Sequence, residues 1–129
     1  MDRHTSDTLQ IVLGELADLN VRTIKLVGRV PFDPEQSNAW KLAERLRREA
    51  RAGVLMDYSE CVLDHTLEQY TKTAQALAAA FPDGVRIAYC FAPANMVHAA
   101  FITKQFHKAG FAAAAFSTRE AAIEFLRTG

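Results

Sequence analysis

From Asp33 onward the chain alternates. Stretches whose apolar residues recur every three or four positions are separated by apolar runs too short to be helices. The order helix, strand, helix, strand, helix, strand, helix admits few folds. It implies right-handed crossovers and a largely parallel sheet sandwiched by helices. Two further apolar runs precede it, residues 9–13 and 21–30, and the segment joining them ends in the turn formers Asp18 and Asn20. They are read as an antiparallel hairpin at the start of the sheet. The expected fold class is α/β, a mixed and largely parallel sheet with that hairpin and about four helices. One domain of 1–129 is expected, with 1–7 a mobile tail.

Local chemistry predicts the element ends. Asp33 before Pro34 suits a helix start, because an Asp oxygen accepts from an early N–H and proline needs no acceptor there. Gln36 approximates a capping box, Ala39, Ala43, Leu46 and Ala50 form the stripe, and the helix is expected to end near Gly53. Val54, Leu55 and Met56 read as a strand buried on both faces and closed by Asp57, with a loop after it. Leu67, Tyr70, Ala74, Leu77 and Phe81 form the clearest amphipathic helix, stopped by Pro82 and Gly84. Residues 85–91 are a strand. Pro93 and Asn95 turn into a helix carrying Ala99, Ile102 and Phe106, ended by Gly110. Residues 111–116 are the last strand. Ser117 and Glu120 are expected to box the start of a final helix that packs Ala122, Phe125 and Leu126.

Fifteen basic and fifteen acidic side chains cancel, so no long-range field favours nucleic acid. Arg45, Arg47, Arg48 and Arg51 are interleaved with Glu44 and Glu49, which reads as a solvated helix face. The polar start of the chain resembles neither a signal peptide nor a membrane anchor, so no integral membrane association and a cytoplasmic location are expected. Cys61 and Cys90, outside any zinc-like spacing, are expected to be reduced thiols, and no cofactor is implied.

Ligands and partners of parallel α/β sheets meet the loops beyond the strand C-termini, where helix starts offer free N–H donors. Three such loops are expected, holding Cys61, Asp64, His65 and Thr66, then Pro93, Asn95 and His98, then Ser117 and Thr118. Asp64 and Thr66 suit helix capping, and Thr66 with Gln69 makes a capping box. Cys61 and His65 have the residue types of a nucleophile and its base, with no oxyanion motif beside them. A metal would have to draw Cys61, His65, His98 and Asp64 together from two loops without a characteristic spacing. His107, near a helix end, suits a dipole partner, and Cys90 a core residue. His4 falls in the expected tail. Phe101, Ile102, Phe106 and Phe111 are either core or the wall of an apolar groove, and Trp40 is either packed or an anchor for a partner.

The segments I-K-L-V-G at residues 24–28, L-M-D-Y-S at 55–59 and D-H-T at 64–66, in that order around the capped helix, resemble the STAS family. The resemblance spans most of the chain. Gly28, Asp57, Ser59, Asp64 and Thr66 fit the family's pattern, and the ending from Phe116 to Leu126 is similar to the SpoIIAA-like subgroup, described alongside lipid-binding Sec14-type domains. Two departures stand out: the loop from Asp57 to Asp64 is one residue shorter than the usual pattern, and His65 stands where the family's phosphorylated serine is expected. The resemblance implies a non-catalytic regulatory or interaction module acting through residues 61–70. Asp57, Ser59, Cys61, Asp64, His65, Thr66, Asn95 and His98 are its candidate binding residues and Thr66 its candidate phosphoacceptor. The expected partner is a protein or a small apolar ligand. A lipid-like carrier or sensor is the alternative, a cysteine-dependent enzyme the third reading, and homodimerisation is left open.

Overall fold

The fold is that of a computed structural model, which describes residues 9–128. The expected tail, with His4, lies outside them. The strands are β1 (Gln10–Leu16), β2 (Val21–Pro31), β3 (Gly53–Asp64), β4 (Arg86–Phe91) and β5 (Ala113–Phe116). The helices are α1 (Ser37–Arg48), α2 (Leu67–Ala80), α3 (Met96–Lys108) and α4 (Arg119–Thr128). The five strands lie side by side in chain order. β1 pairs antiparallel with β2, and every later pair is parallel. The expected mixed sheet with an N-terminal hairpin and four helices is the one observed.

Strand order places the helices. Each parallel connection steps one strand in the same direction, and crossovers of one hand that march one way all fall on one face. The larger core lies there: Leu42 and Leu46 of α1, Leu77 of α2, Ile102 and Phe106 of α3, against Val54, Met56, Ile87 and Tyr89. α4 follows the last strand and packs Ala122 and Leu126 on the opposite face, against Val21, Leu55 and Ala88. Gly53 sits where a Cβ would stand 3.1 Å from the Arg86 carbonyl and 3.2 Å from Leu126. It opens β3 and does not cap α1.

The largest departure from expectation is β3. Asp57 does not close it, and the strand runs on to Asp64 alongside β2. Between the pairs Lys25 with Asp57 and Val27 with Glu60, Leu26 of β2 faces both Tyr58 and Ser59. That two-to-one opposition is a β-bulge. Asp57 stabilises it, since its Oδ1 accepts from the Ser59 hydroxyl at 2.6 Å and the Ser59 N–H at 3.1 Å. An Asp-x-Ser triplet reads as a turn because its side chains satisfy backbone donors. Here the same bond supports a kink within a strand. Beyond it, Gly28, at φ 101°, lets β2 keep pairing with Cys61.

Three helix ends also differ. Asp33 caps from outside α1: its Oδ2 accepts from the Ser37 N–H at 2.8 Å and its Oδ1 from the Glu35 N–H. Gln36, left-handed at φ 55°, delays the helix to Ser37. α1 ends at Arg48, before Ala50 turns left-handed at φ 52°. α4 is capped by Thr118, whose Oγ1 accepts from the Ala121 N–H, instead of by Ser117 with Glu120. The start of α2 is as expected, with both halves of the Thr66 and Gln69 box formed.

The basic cluster is not a uniformly solvated face. Arg51 lies beyond α1 and binds Glu49 and Glu15, while Arg22 also holds Glu49. Burial works to raise the Glu49 pKa, but hydrogen bonds from Arg51 and Arg22 bring it down to about 2.

Candidate functional site

The C-terminal ends of β3 and β4 meet the starts of α2 and α3, and a cluster of rings fills the junction. Tyr70, in the first turns of α2, packs its ring 4.3 Å from that of His98 on α3 and 5.9 Å from that of His65. His65 meets Phe32 edge-on at 5.8 Å. Below them the Tyr70 and Tyr89 hydroxyls are 2.8 Å apart, and Tyr58 stands edge-on to Tyr89 at 4.9 Å. A phenol on the apolar stripe of a helix must find a polar partner. Tyr70 finds Tyr89.

Asn95, buried at the start of α3, donates through Nδ2 to the Cys61 carbonyl at 3.3 Å and so ties α3 to β3. Cys61 therefore lies in a strand and not in a loop. Its thiol donates to the Tyr58 carbonyl at 3.6 Å, and burial, with Asp57 adding repulsion, pushes it up to about 12. That is the opposite of the lowered pKa a nucleophilic thiolate needs. Burial also depresses His65, with repulsion from His98 helping and Asp64 opposing, and burial depresses His98. The Nδ1 atoms of both rings are buried without a hydrogen-bond partner. This edge holds neutral imidazoles among apolar and phenolic groups.

Of the expected site residues, the fold thus gathers Cys61, His65, Asn95 and His98 around Tyr70. Asp64 and Thr66 are exposed on the rim, where Asp64 pairs with Arg29 at 3.6 Å and Thr66 caps α2. Asp57 and Ser59 belong elsewhere. Asp57 is 3% exposed and its Oδ2 accepts from Arg119 of α4 at 2.9 Å. Burial raises the Asp57 pKa, but the Ser59 and Arg119 bonds outweigh it and hold the carboxyl below the usual carboxylate range. Asp57 and Arg119, with Lys25 and Thr23, line an open groove on the α4 side of the sheet.

Around the ring cluster large apolar side chains are also exposed. Val62 at the end of β3, Leu67 opening α2, and Met96 and Val97 opening α3 are 51 to 59% exposed. Leu67, expected on the buried stripe of α2, is outside it, and the stripe begins at Tyr70. These four, with Tyr58, Tyr89 and Arg119, are what sequence reasoning missed. Leu67 and Met96 are first residues of helices, a position where periodicity does not assign a face.

The phenylalanine-rich region is packed as core. Ile102, Phe106 and Phe111 are in the core with Phe101 packed against it, and His107 contacts the Ala113 carbonyl at 2.6 Å. A cavity of about 90 Å³ does lie between the sheet, α1 and α2, lined in part by Tyr58, His65 and Tyr70. Pockets for drug-sized ligands run to roughly 300 Å³ or more, so a lipid carrier is not supported. Among the described residues no three His, Cys, Asp or Glu side chains are grouped to hold a metal, and no helix is long and apolar enough to cross a membrane.

No family model and no curated protein matches the sequence. Among solved structures, an anti-sigma factor antagonist from Mycobacterium paratuberculosis is similar over 94% of this chain and 96% of its own, with a TM-score of 0.59 at 15% identity. The α/β architecture expected from the order of the motifs is thus a fold shared almost end to end with that anti-sigma factor antagonist.

Proposed function

We propose that this chain is a non-catalytic regulatory module that docks a protein partner on the edge where β3, α2 and α3 meet. The observation that carries the reading is the exposure of Val62, Leu67, Met96 and Val97 around the Asp64 to Thr66 segment. Large apolar side chains grouped at a rim of helix starts mark interaction surfaces more often than solvent-facing ones. The buried rings beneath supply a stiff floor, and the raised Cys61 pKa speaks against thiolate chemistry there. An anti-sigma factor is the partner class that the structural neighbour's name suggests.

Photo-crosslinking from position 67 in native lysate tests the reading. The expected result is one dominant protein adduct, lost in the Met96→Asp and Val97→Asp variants and weakened when Asp64, His65 and Thr66 are replaced together by alanine. Capture indifferent to all of these changes would remove the edge from consideration.

Thr66 is the phosphoacceptor in this proposal. It is exposed, and its Oγ1 already accepts from the Gln69 N–H at the positive end of α2, where a phosphate would be stabilised. Phosphopeptide mapping of protein from its native cells should find the modification at Thr66, and its consistent absence there under all growth conditions would discard this element.

A further inference from the structure

A second exposed apolar region lies away from that edge. Among the described residues β1 forms an outer edge of the sheet, pairing with β2 alone. Natural edge strands are kept from pairing by charges, prolines, bulges or shortness. β1 has seven residues, Q-I-V-L-G-E-L, and Glu15 is its single charge. Ile11, Val12 and Leu13 are 42 to 52% exposed, and alternation sends Ile11 and Leu13 to the helix side and Val12 to the other. The opposite edge strand, β5, has four residues. On the helix side β1 borders a groove whose two hollows, about 90 and 130 Å³, share Ile11, Ile24, Asn38 and Leu42. Lys41 and Arg45 line its outer end, and among the described residues Lys41 has no ion pair.

The occupant must be a strand, apolar on both faces and bearing an acidic group. β1 itself meets all three conditions. The residues ahead of Leu9 do not, because M-D-R-H-T-S-D-T is polar apart from Met1. A two-fold axis perpendicular to the sheet pairs β1 with β1 of a second copy, antiparallel, and keeps like faces together. Residues 11–13 then lie against residues 11–13. Glu15 of each copy, half-exposed and held by Arg51, falls beside residues 9–11 of the other, on the side where Asn38 and Lys41 line the groove. We propose that β1 is the pairing edge of a symmetric homodimer, joining the two sheets into one and setting Glu15 of each copy against Lys41 of the other.

Sedimentation velocity of the full chain over a concentration series tests this. The wild type should be a dimer. Val12→Lys and Leu13→Lys should each raise its dissociation constant by on the order of a hundredfold, since every interface carries the change twice. Lys41→Glu should weaken it by about tenfold, the scale of one exposed ion pair met twice. Val97→Lys, at the other apolar region, should leave it unchanged. Thermal melts monitored by circular dichroism would verify that each variant is folded. A wild type that stays monomeric at its highest soluble concentration would overturn the proposal, as would a dimer that survives both β1 variants. Protection of the β1 amides by an added peptide of foreign sequence, with the chain itself monomeric, would assign the edge to another partner and equally overturn it.

Discussion

Arg119, the first residue of α4, donates to Oδ2 of Asp57 at 2.9 Å across 62 positions of the chain. The contact joins the β3 bulge to α4 on the far face of the sheet. Asp57 is buried and takes three hydrogen bonds, two from Ser59 and one from Arg119.

Removing the carboxylate should therefore cost more than removing the guanidinium. Asp57→Ala is expected to lose about 2–4 kcal/mol, because Ser59 and the bulge lose their acceptor along with the ion pair. Arg119→Ala is expected to lose about 1–2 kcal/mol, discounted because its side chain is partly solvated. Urea unfolding monitored by tyrosine and tryptophan fluorescence would rank the two, and the reverse order would show that the clasp and not the bulge dominates.

The Tyr70 and Tyr89 hydroxyls form a buried pair, so either single change to phenylalanine strands the other oxygen. Each is expected to destabilise by about 1–2 kcal/mol, and the double change by less than the sum of the two. A double-mutant cycle on unfolding free energies reads the coupling directly. Strict additivity would mean that the two hydroxyls do not depend on each other.

Cys61 and Cys90 are buried and both thiols are raised, in each case first by burial. Alkylation of the folded protein at neutral pH should be at least about a hundredfold slower than in denaturant. Mass spectrometry of iodoacetamide-treated samples would measure this. Fast labelling of Cys61 in the native state would reopen the reading of it as a nucleophile.

His65 and His98 have folded pKa values below their ordinary 6.5. The unfolded chain then binds protons before the folded one does, so stability is full above that value and falls as pH drops through it. Unfolding free energy should decline from about pH 7 toward about pH 5, and His65→Gln with His98→Gln should flatten that slope. Asp57 and Glu49, both depressed, act in a lower window: their contribution is lost only as pH falls below their ordinary values of 3.8 and 4.5. A slope between neutrality and pH 5 unchanged in the double variant would assign it to other groups.

The sequence by itself determined the element order, the α/β class and the cap of α2. Period and capping chemistry are local, and the Thr66 and Gln69 box forms as its spacing dictates. It also placed Cys61, His65, Asn95 and His98 near one edge, because strand ends and helix starts follow from that order. Tertiary structure decided what local chemistry leaves ambiguous. Asp57 and Ser59 read equally as a turn or as a bulge, and only pairing with β2 made them a bulge. Leu67 and Met96 open their helices, so their exposure depended on how α2 and α3 meet and not on any stripe. The partnership of Asp57 with Arg119, like that of Tyr70 with Tyr89, joins residues far apart in sequence, and no spacing encodes it.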